Sequence, residues 1–379
     1  MWCSTPLPDT MGAVSDEVNA VRRVLAAPDS LKGTAGAPEV AAAVAAGAET
    51  AGWVCDRCPL SDGGEGFAEV LAAQRAGEGT WRTTDVTGPL GSPVTARWWR
   101  GREEAVVESA AASGLPLAGG PEGNDPVGAT TRGTGELIAA ALGAGARRVI
   151  VGVGGSATTD GGVGALEVIE AAGGLAGAEV VVACDVQTRF VDAAEVFGPQ
   201  KGANPAQVVE LRHRLVGLVD EYRRRFGVDV SSLPGAGAAG GLAGGLAAAG
   251  ARLVAGFDLV AGSVGLAARL GRSQLAVTAE GRLDASSWSG KVVGGVVRAA
   301  GAAGIDVLVV AGVVAPGAAE GVTGPPPGRP GRDGRDGRGG RVAVRSLAER
   351  CGHARALADP AACVEQVVRE FLKEGDWWV

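Results

Sequence analysis

The sequence predicts an α/β fold built on parallel strands and long enough for two domains, and three observations carry that expectation. Short apolar runs alternate with longer Ala/Leu/Val stretches at helical spacing, the pattern of repeated β-α units. The 379 residues are 46% hydrophobic but only 4% aromatic. The cores must therefore be built from Val, Leu, Ile and Ala, which suits buried parallel strands beneath Ala-rich helices. Near Thr80 the texture changes: tryptophans and a Gly-Pro turn replace the β-α rhythm, and a domain boundary is placed there.

Val24 to Ala27 reads as the first strand, and a helix follows from Pro38, a good first-turn residue. Trp53 to Pro59 is the next strand, and the acidic loop Ser61-Asp62-Gly63-Gly64-Glu65-Gly66 leads into a second helix. Thr80 to Ser113 carries Trp81, Trp98, Trp99 and the turn Thr87-Gly88-Pro89-Leu90-Gly91, which reads as antiparallel strands. A helix covers Thr134 to Leu142, and the strand Val149 to Val153 delivers the chain into the loop Gly154 to Gly162 and another helix. Glu179 to Cys184 is a strand that ends in Asp185.

Pro205 to Phe226 is an amphipathic helix whose apolar positions Val208, Leu211, Leu215, Leu218 and Val219 recur three and four residues apart. Leu233 to Ala251 is a Gly/Ala loop running into a helix. Leu275 to Thr278 is a strand ending in Ala279-Glu280-Gly281-Arg282-Leu283-Asp284, Lys291 opens a helix through Ala303, and Asp306 to Ala311 is a further buried strand. Gly324 to Arg341 has glycine at every third position from Gly328 to Gly340. So short a run cannot build a collagen helix and is expected to be a flexible loop. Val342 to Leu347 is a last strand, and Asp359-Pro360 caps and starts a terminal helix.

Composition excludes several functions. A net charge of -7 argues against nucleic acid as the main partner. Residues 1–22 lack an apolar core and cleavage signature and read as a disordered extension, and no apolar run is long enough to span a membrane. A cytoplasmic protein is expected. Cys55-Asp56-Arg57-Cys58 has redox spacing but lies in a strand, so structural thiols are expected. His213 and His353 are the only histidines, which weakens any histidine-based triad.

Only four of the 35 basic residues are lysines, and Lys32, Lys201 and Lys291 sit in glycine-flanked motifs. A lysine kept where arginine otherwise dominates suggests a compact point charge for phosphate. Asp29, Asp62, Gly155-Ser156, Asp185 and Glu280 all fall at the C-terminal ends of apolar strands, the edge where open α/β sheets bind ligands.

The Gly154 to Gly162 loop reads as a phosphate cradle, with Gly154 and Gly155 letting the backbone approach and Ser156, Thr158 and Thr159 offering hydroxyls. The alternative is a tight strand-to-helix turn with Asp160 as cap. Gly235, Gly237 and Gly240 match a dinucleotide fingerprint, but Ser-Ser-Leu-Pro precedes them instead of a strand. A dehydrogenase is rejected, and a glycine-rich approach to substrate or phosphate stays open. Acids and lysines together suggest phosphoryl transfer, the carboxylates binding magnesium or orienting a hydroxyl and the lysines neutralising charge.

These motifs resemble the type I glycerate kinases. The matching stretches are Ala27 to Gly33, Asp62 to Gly66, Gly154 to Gly162, Cys184-Asp185, Val196 to Ala203, Pro234 to Gly241, and Glu280 to Asp284 with Lys291. The resemblance implies ATP-dependent, magnesium-assisted phosphorylation of D-glycerate, usually at the 2-hydroxyl. It also implies a flavodoxin-like parallel-sheet domain formed from both chain ends and an inserted mixed α/β domain, with the active site between them. The corresponding boundaries are 23–79 with 286–379, and 80–285.

In that frame Asp185 orients the substrate hydroxyl or the metal, with Asp284 and Glu280 close behind, and Lys32, Lys201 and Lys291 neutralise the phosphates or the glycerate carboxylate. Asp29, Ser30, Asp62, Gly63 and Gly64 join the substrate- or phosphate-binding set, and Asp185 and Glu280 are the metal candidates. Three stretches depart from the family pattern: a shortened Gly173 to Ala178, Val186 to Phe190 beside Asp185, and Thr278 to Gly281. A kinase of a related hydroxy acid, or a catalytically silent metabolite-binding protein, is the alternative. Oligomeric state is not readable.

Overall fold

A computed structural model describes residues 22–31, 33–319 and 340–374. The expected extension at 1–22 lies outside these except for Arg22, and of the expected flexible loop at 324–341 only Gly340 and Arg341 fall within them.

Eleven strands form two sheets among the described residues: β1 Arg23–Ala26, β2 Val54–Arg57, β3 Gly79–Thr87, β4 Pro93–Gly101, β5 Glu104–Glu108, β6 Arg148–Gly152, β7 Glu179–Ala183, β8 Arg252–Val254, β9 Leu275–Leu283, β10 Asp306–Val314 and β11 Val342–Ser346. The first sheet has the order β11-β10-β9-β1-β2, and every pair in it is parallel. Numbered within the sheet, that is 2-1-3-4-5, the flavodoxin-like order, whose switch point lies between β1 and β9. The second sheet runs β3-β4-β5-β6-β7-β8. Its first two pairings are antiparallel and the other three parallel.

Two sequence expectations change here. The boundary at 285 assigned Leu275–Leu283 to the inserted unit, yet this strand pairs with β1 and β10 in the first sheet. The strand also runs five residues beyond Thr278, so Glu280 lies inside it. Its residues from Ala279 onward stay in register with β10 through Val314, which holds them extended. Thr80 to Ser113 was expected to be antiparallel throughout, but β5 pairs in parallel with β6, and Ala110–Ser113 is a helical turn. The shared apolar face of Ala105, Val107, Val149 and Val151 drives that pairing.

Alternation along the strands places the cores. In β10, Val307, Val309 and Ala311 face a core shared by both sheets, while Leu308 and Val310 face the opposite side. In β6, Ile150 joins the shared core, and Val149 and Val151 point to the far face. The central strands of each sheet are thus buried on both faces, which is why they read as continuous apolar runs. The helices Ala37–Thr50 and Pro360–Glu374 cover the outer face of the first sheet. The helices Phe67–Ala73, Gly256–Val264 and Val292–Ala303 fill the layer between the sheets.

The expected helix over 205–226 forms as Pro205–Phe226, started by a reciprocal capping box between Asn204 and Gln207 and stopped at left-handed Gly227.

Candidate active site

The loops that follow β2, β6 and β7 meet: Gly154 N–H donates to Gly63 O, and Gly63 lies against Ala183 O. At the switch point, Asp29 N–H donates to Ala279 O at 2.9 Å, and Asp29 Oδ1 accepts from Ser30 N at 2.7 Å. Asp29 and Ser30 are buried. Ser30, Thr34 and the start of the Ala37–Thr50 helix line a cavity of about 470 Å³, whose opposite wall includes Glu65, Glu69, Trp81, Arg97 and Glu108. Lys32 lies outside the described residues.

Asp62 folds back on its own loop, its Oδ1 accepting from Gly64 N at 3.1 Å. Gly63, at φ 97°, sits where an added Cβ would lie 2.7 Å from Ala183 O, and Gly154 sits where one would lie 2.5 Å from Gly64 Cα. Gly154 N–H donates to Gly63 O at 3.1 Å. The absent side chains at Gly63 and Gly154 therefore let the acidic loop touch the ends of β6 and β7. Gly256 has the same function on the other side, since a Cβ there would collide with Asp62 O.

Asp185 leaves β7 into this junction. Its Oδ2 accepts the Phe257 N–H at 2.9 Å, capping the Gly256–Val264 helix. Burial pushes its carboxyl up to about 7, the charges of Asp62 and Asp258 add to the effect, and the Phe257 and Gly256 amides oppose it. Gly290 closes over Asp185, where a Cβ would be 3.0 Å from Asp185 O. Asp62, Asp185 and the Ser289–Lys291 turn are thus brought together.

Asp284 and Lys291 form a second group on that turn. Asp284 Oδ1 accepts from Ser286 N at 2.8 Å and Ser286 Oγ at 2.6 Å, while Lys291 Nζ donates to Ser286 Oγ at 2.9 Å. The Ser286 hydroxyl, with help from the Lys291 charge, holds the Asp284 carboxyl below its usual range. Glu280 is buried within β9.

Two expectations are revised. Lys201 was expected on the anion-facing side, yet it is 3% exposed and sits behind the Gly154–Gly162 loop. Its Nζ donates to Ser156 Oγ at 3.0 Å and to Thr158 O at 2.6 Å. Burial lowers its amine to about 7, with Asp160 pulling the other way. Second, Gly235, Gly237 and Gly240 pack against protein: Gly235 meets Cys184 Sγ and Val186 O, Gly237 the Arg189 carbonyl and Gly240 the Thr158 carbonyl. Close backbone packing by itself requires glycine at these three positions. Separately, no group of three or more His, Cys, Asp or Glu is placed to hold a metal ion among the described residues, which leaves the two-carboxylate expectation of Asp185 and Glu280 untouched.

Asp160 is the cap of its loop, its carboxylate accepting from Thr131 N, Thr131 Oγ1, Gly162 N and Gly164 N. Thr158 and Thr159 keep buried hydroxyls with no hydrogen-bond partner among the described residues. The thiols of Cys55 and Cys58 are pushed up to about 12 and 11 by burial, as inert structural cysteines require.

Sequence reasoning missed Glu108 and Asn124. Asn124 Nδ2 donates to Ala157 O and Lys201 O, tying the loop to Lys201's own segment. Glu108 ends β5 and accepts the Ala68 N–H at 2.7 Å. The strand-end signal that picked out Asp185 applied to Glu108 too, but the antiparallel reading of its strand concealed it.

Fold and site together describe a two-sheet α/β enzyme of the small-molecule kinase class. Residues 24–173 and 166–323 match the model of the glycerate kinase family, and the chain belongs to that family. It is 44% identical to an uncharacterized protein of Mycobacterium bovis over 312 residues, covering 77% of this chain and 79% of the relative. It is 39% identical to glycerate 2-kinase of Escherichia coli K12 over 316 residues, covering 73% and 82%. The crystal structure named "putative glycerate kinase 2" from Salmonella typhimurium LT2 superposes with a TM-score of 0.72 at 31% identity, covering 93% of this chain and 98% of that one.

Proposed function

We propose that this kinase transfers the γ-phosphoryl group of ATP to the 2-hydroxyl of D-glycerate, and that the reaction takes place in the cytoplasm, where ATP is supplied. The regiochemistry follows the name of the E. coli relative. The observation that carries the reading is Asp185, a carboxyl raised to about 7 where the loops of the two sheets meet. A base poised near the working pH is suited to orienting a hydroxyl and accepting its proton as phosphoryl transfer proceeds.

Ser30, Thr34 and the first turn of the Ala37–Thr50 helix, on the wall of the 470 Å³ cavity, take the anionic groups, with Asp29 fixing Ser30. Lys32 and Lys291 supply compact positive charge, and Asp284 holds Lys291 in place through Ser286. Lys201 acts from behind, stiffening the loop through Ser156 and Thr158.

Magnesium needs only one or two protein carboxylates when phosphate oxygens complete its shell. The lack of a three-carboxylate cluster among the described residues is compatible with an ion that arrives with ATP. Glu280 is the carboxylate assigned to it, which leaves Asp185 to the hydroxyl, and bound there it would neutralise charge on the phosphoryl group. The two sheets with their helices are treated as two domains, with β9 moved into the first.

Purified protein with ATP, magnesium and D-glycerate should release ADP, and NMR of the product should show phosphate on the 2-oxygen. Phosphate on the 3-oxygen would overturn the regiochemistry, and a higher specificity constant for another hydroxy acid would overturn the substrate.

A further inference from the structure

The acidic loop Asp62 to Gly66 belongs by chain to the first sheet, yet its anchors lie on the second. It is held at the ends of three of that sheet's strands. At β7, Gly63 approaches Ala183 O; at β6, Gly154 N–H donates to Gly63 O, and Phe67 packs where a Cβ on Gly152 would be 2.8 Å from its ring. At β5 the anchor is Glu108. It is the one of the three that acts through a polar side chain.

The Phe67–Ala73 helix begins at Gly66, in the left-handed region at φ 80°, and has no side-chain cap of its own. Glu108 supplies that cap from 40 residues away, its Oε1 accepting the Ala68 N–H at 2.7 Å. Burial and the charges of Glu69 and Glu65 raise this carboxyl to about 7, with the Ala68 and Gly66 amides opposing them. Glu69 in turn meets Arg97 of β4 at 3.5 Å. A protonated or an ionised carboxyl can accept the Ala68 N–H, so the geometry survives titration.

We propose that Glu108 is a positioning residue of the kinase reaction: as the cap of the Phe67–Ala73 helix contributed by the other sheet, it sets the place of the Asp62–Gly66 loop beside Asp185. The inference rests on the kinase reading for its kinetic arm only. Displacing an active-site loop by about an ångström can cost on the order of 100-fold in rate.

The test compares wild type with Glu108→Gln, which keeps the acceptor oxygen, Glu108→Asp, which keeps the charge but withdraws it by one methylene, and Glu108→Ala. The Asp and Ala variants should lose about 10- to 100-fold in kcat/KM for D-glycerate, and Gln should stay within about threefold of wild type. Hydrogen exchange of residues 62–73 should quicken in Asp and Ala but not in Gln, a readout that needs no substrate. Should the Ala chain not fold, the Asp and Gln pair makes the same comparison. Wild-type rates in the Asp variant, or a Gln variant as impaired as Asp, would overturn the proposal. If wild type fails to phosphorylate D-glycerate, the functional reading falls, and the exchange data alone decide whether Glu108 sets the loop.

Discussion

Asp185 and Phe257 are joined by a hydrogen bond of 2.9 Å across 72 residues, so the acid that ends β7 also starts the helix between the two sheets. One carboxylate therefore organises the junction between the two sheets. Because the Phe257 amide binds one oxygen, the carboxyl is fixed in orientation while burial keeps its proton affinity high.

Asp185→Asn should keep the fold, since the amide oxygen can still accept from Phe257. Turnover should fall by a factor of about 100 to 10,000, the usual worth of a general base. Steady-state kinetics within threefold of wild type would remove Asp185 from the reaction. In wild type the activity should rise as pH passes about 7, where the base form appears.

The same shift acts on stability. Asp185 binds its proton more tightly in the folded chain, at about 7, than unfolded, at about 3.9. Its contribution is therefore greatest below about pH 4 and declines as pH rises to about 7. Denaturant melts across that window should show the Asn variant gaining on wild type, and a constant gap would contradict the assignment.

Lys201→Met tests the strut behind the Gly154–Gly162 loop. The lysine's folded value of about 7 lies below its unfolded value of about 10.4, so its contribution to stability grows as pH rises between the two. Methionine should destabilise by about 1–3 kcal/mol at pH 9, with Thr158 O losing its donor, and by less at pH 6. Turnover should drop about tenfold as the loop loosens.

Gly256→Ala and Gly262→Ala lie in one helix and should act in opposite directions. A Cβ at Gly256 collides with Asp62 O, whereas one at Gly262 meets nothing within 4 Å. The first should cost about 1–3 kcal/mol by overpacking and lower kcat/KM. The second should add about 0.5–1 kcal/mol through helix propensity and leave kinetics alone. Thermal melts of both variants decide.

Lys291→Ala should weaken ATP binding by about 1.5–3 kcal/mol, about tenfold or more in Kd, the worth of a hydrogen bond to a charged group. The melting temperature should hardly move, because the Lys291–Ser286 contact is exposed. Calorimetric titration with ATP that matches wild type would place the lysine outside the phosphate site.

Much of the fold was legible because its signals are local. The apolar run Asp306 to Ala311, the three- and four-residue spacing of Val208, Leu211, Leu215, Leu218 and Val219, and the Gly-rich strand ends each depend on residues a few positions apart. The acids at strand ends were legible for the same reason. Glu108 was not, because its role depends on β5 running parallel to β6, a pairing between distant segments. Lys201 was legible as an unusual lysine, but its side could not be read.

By itself, then, the sequence determined the α/β alternation, the family and several of the polar residues near strand ends, Asp29 and Asp185 among them, since periodicity and motif spacing are properties of neighbouring residues. Tertiary structure alone decided which sheet received β9, that Glu108 and Asp185 cap helices between the sheets, and that Lys201 stands behind its loop. Those outcomes depend on which strand pairs with which and on where a missing Cβ lets two backbones meet, and no local pattern encodes either.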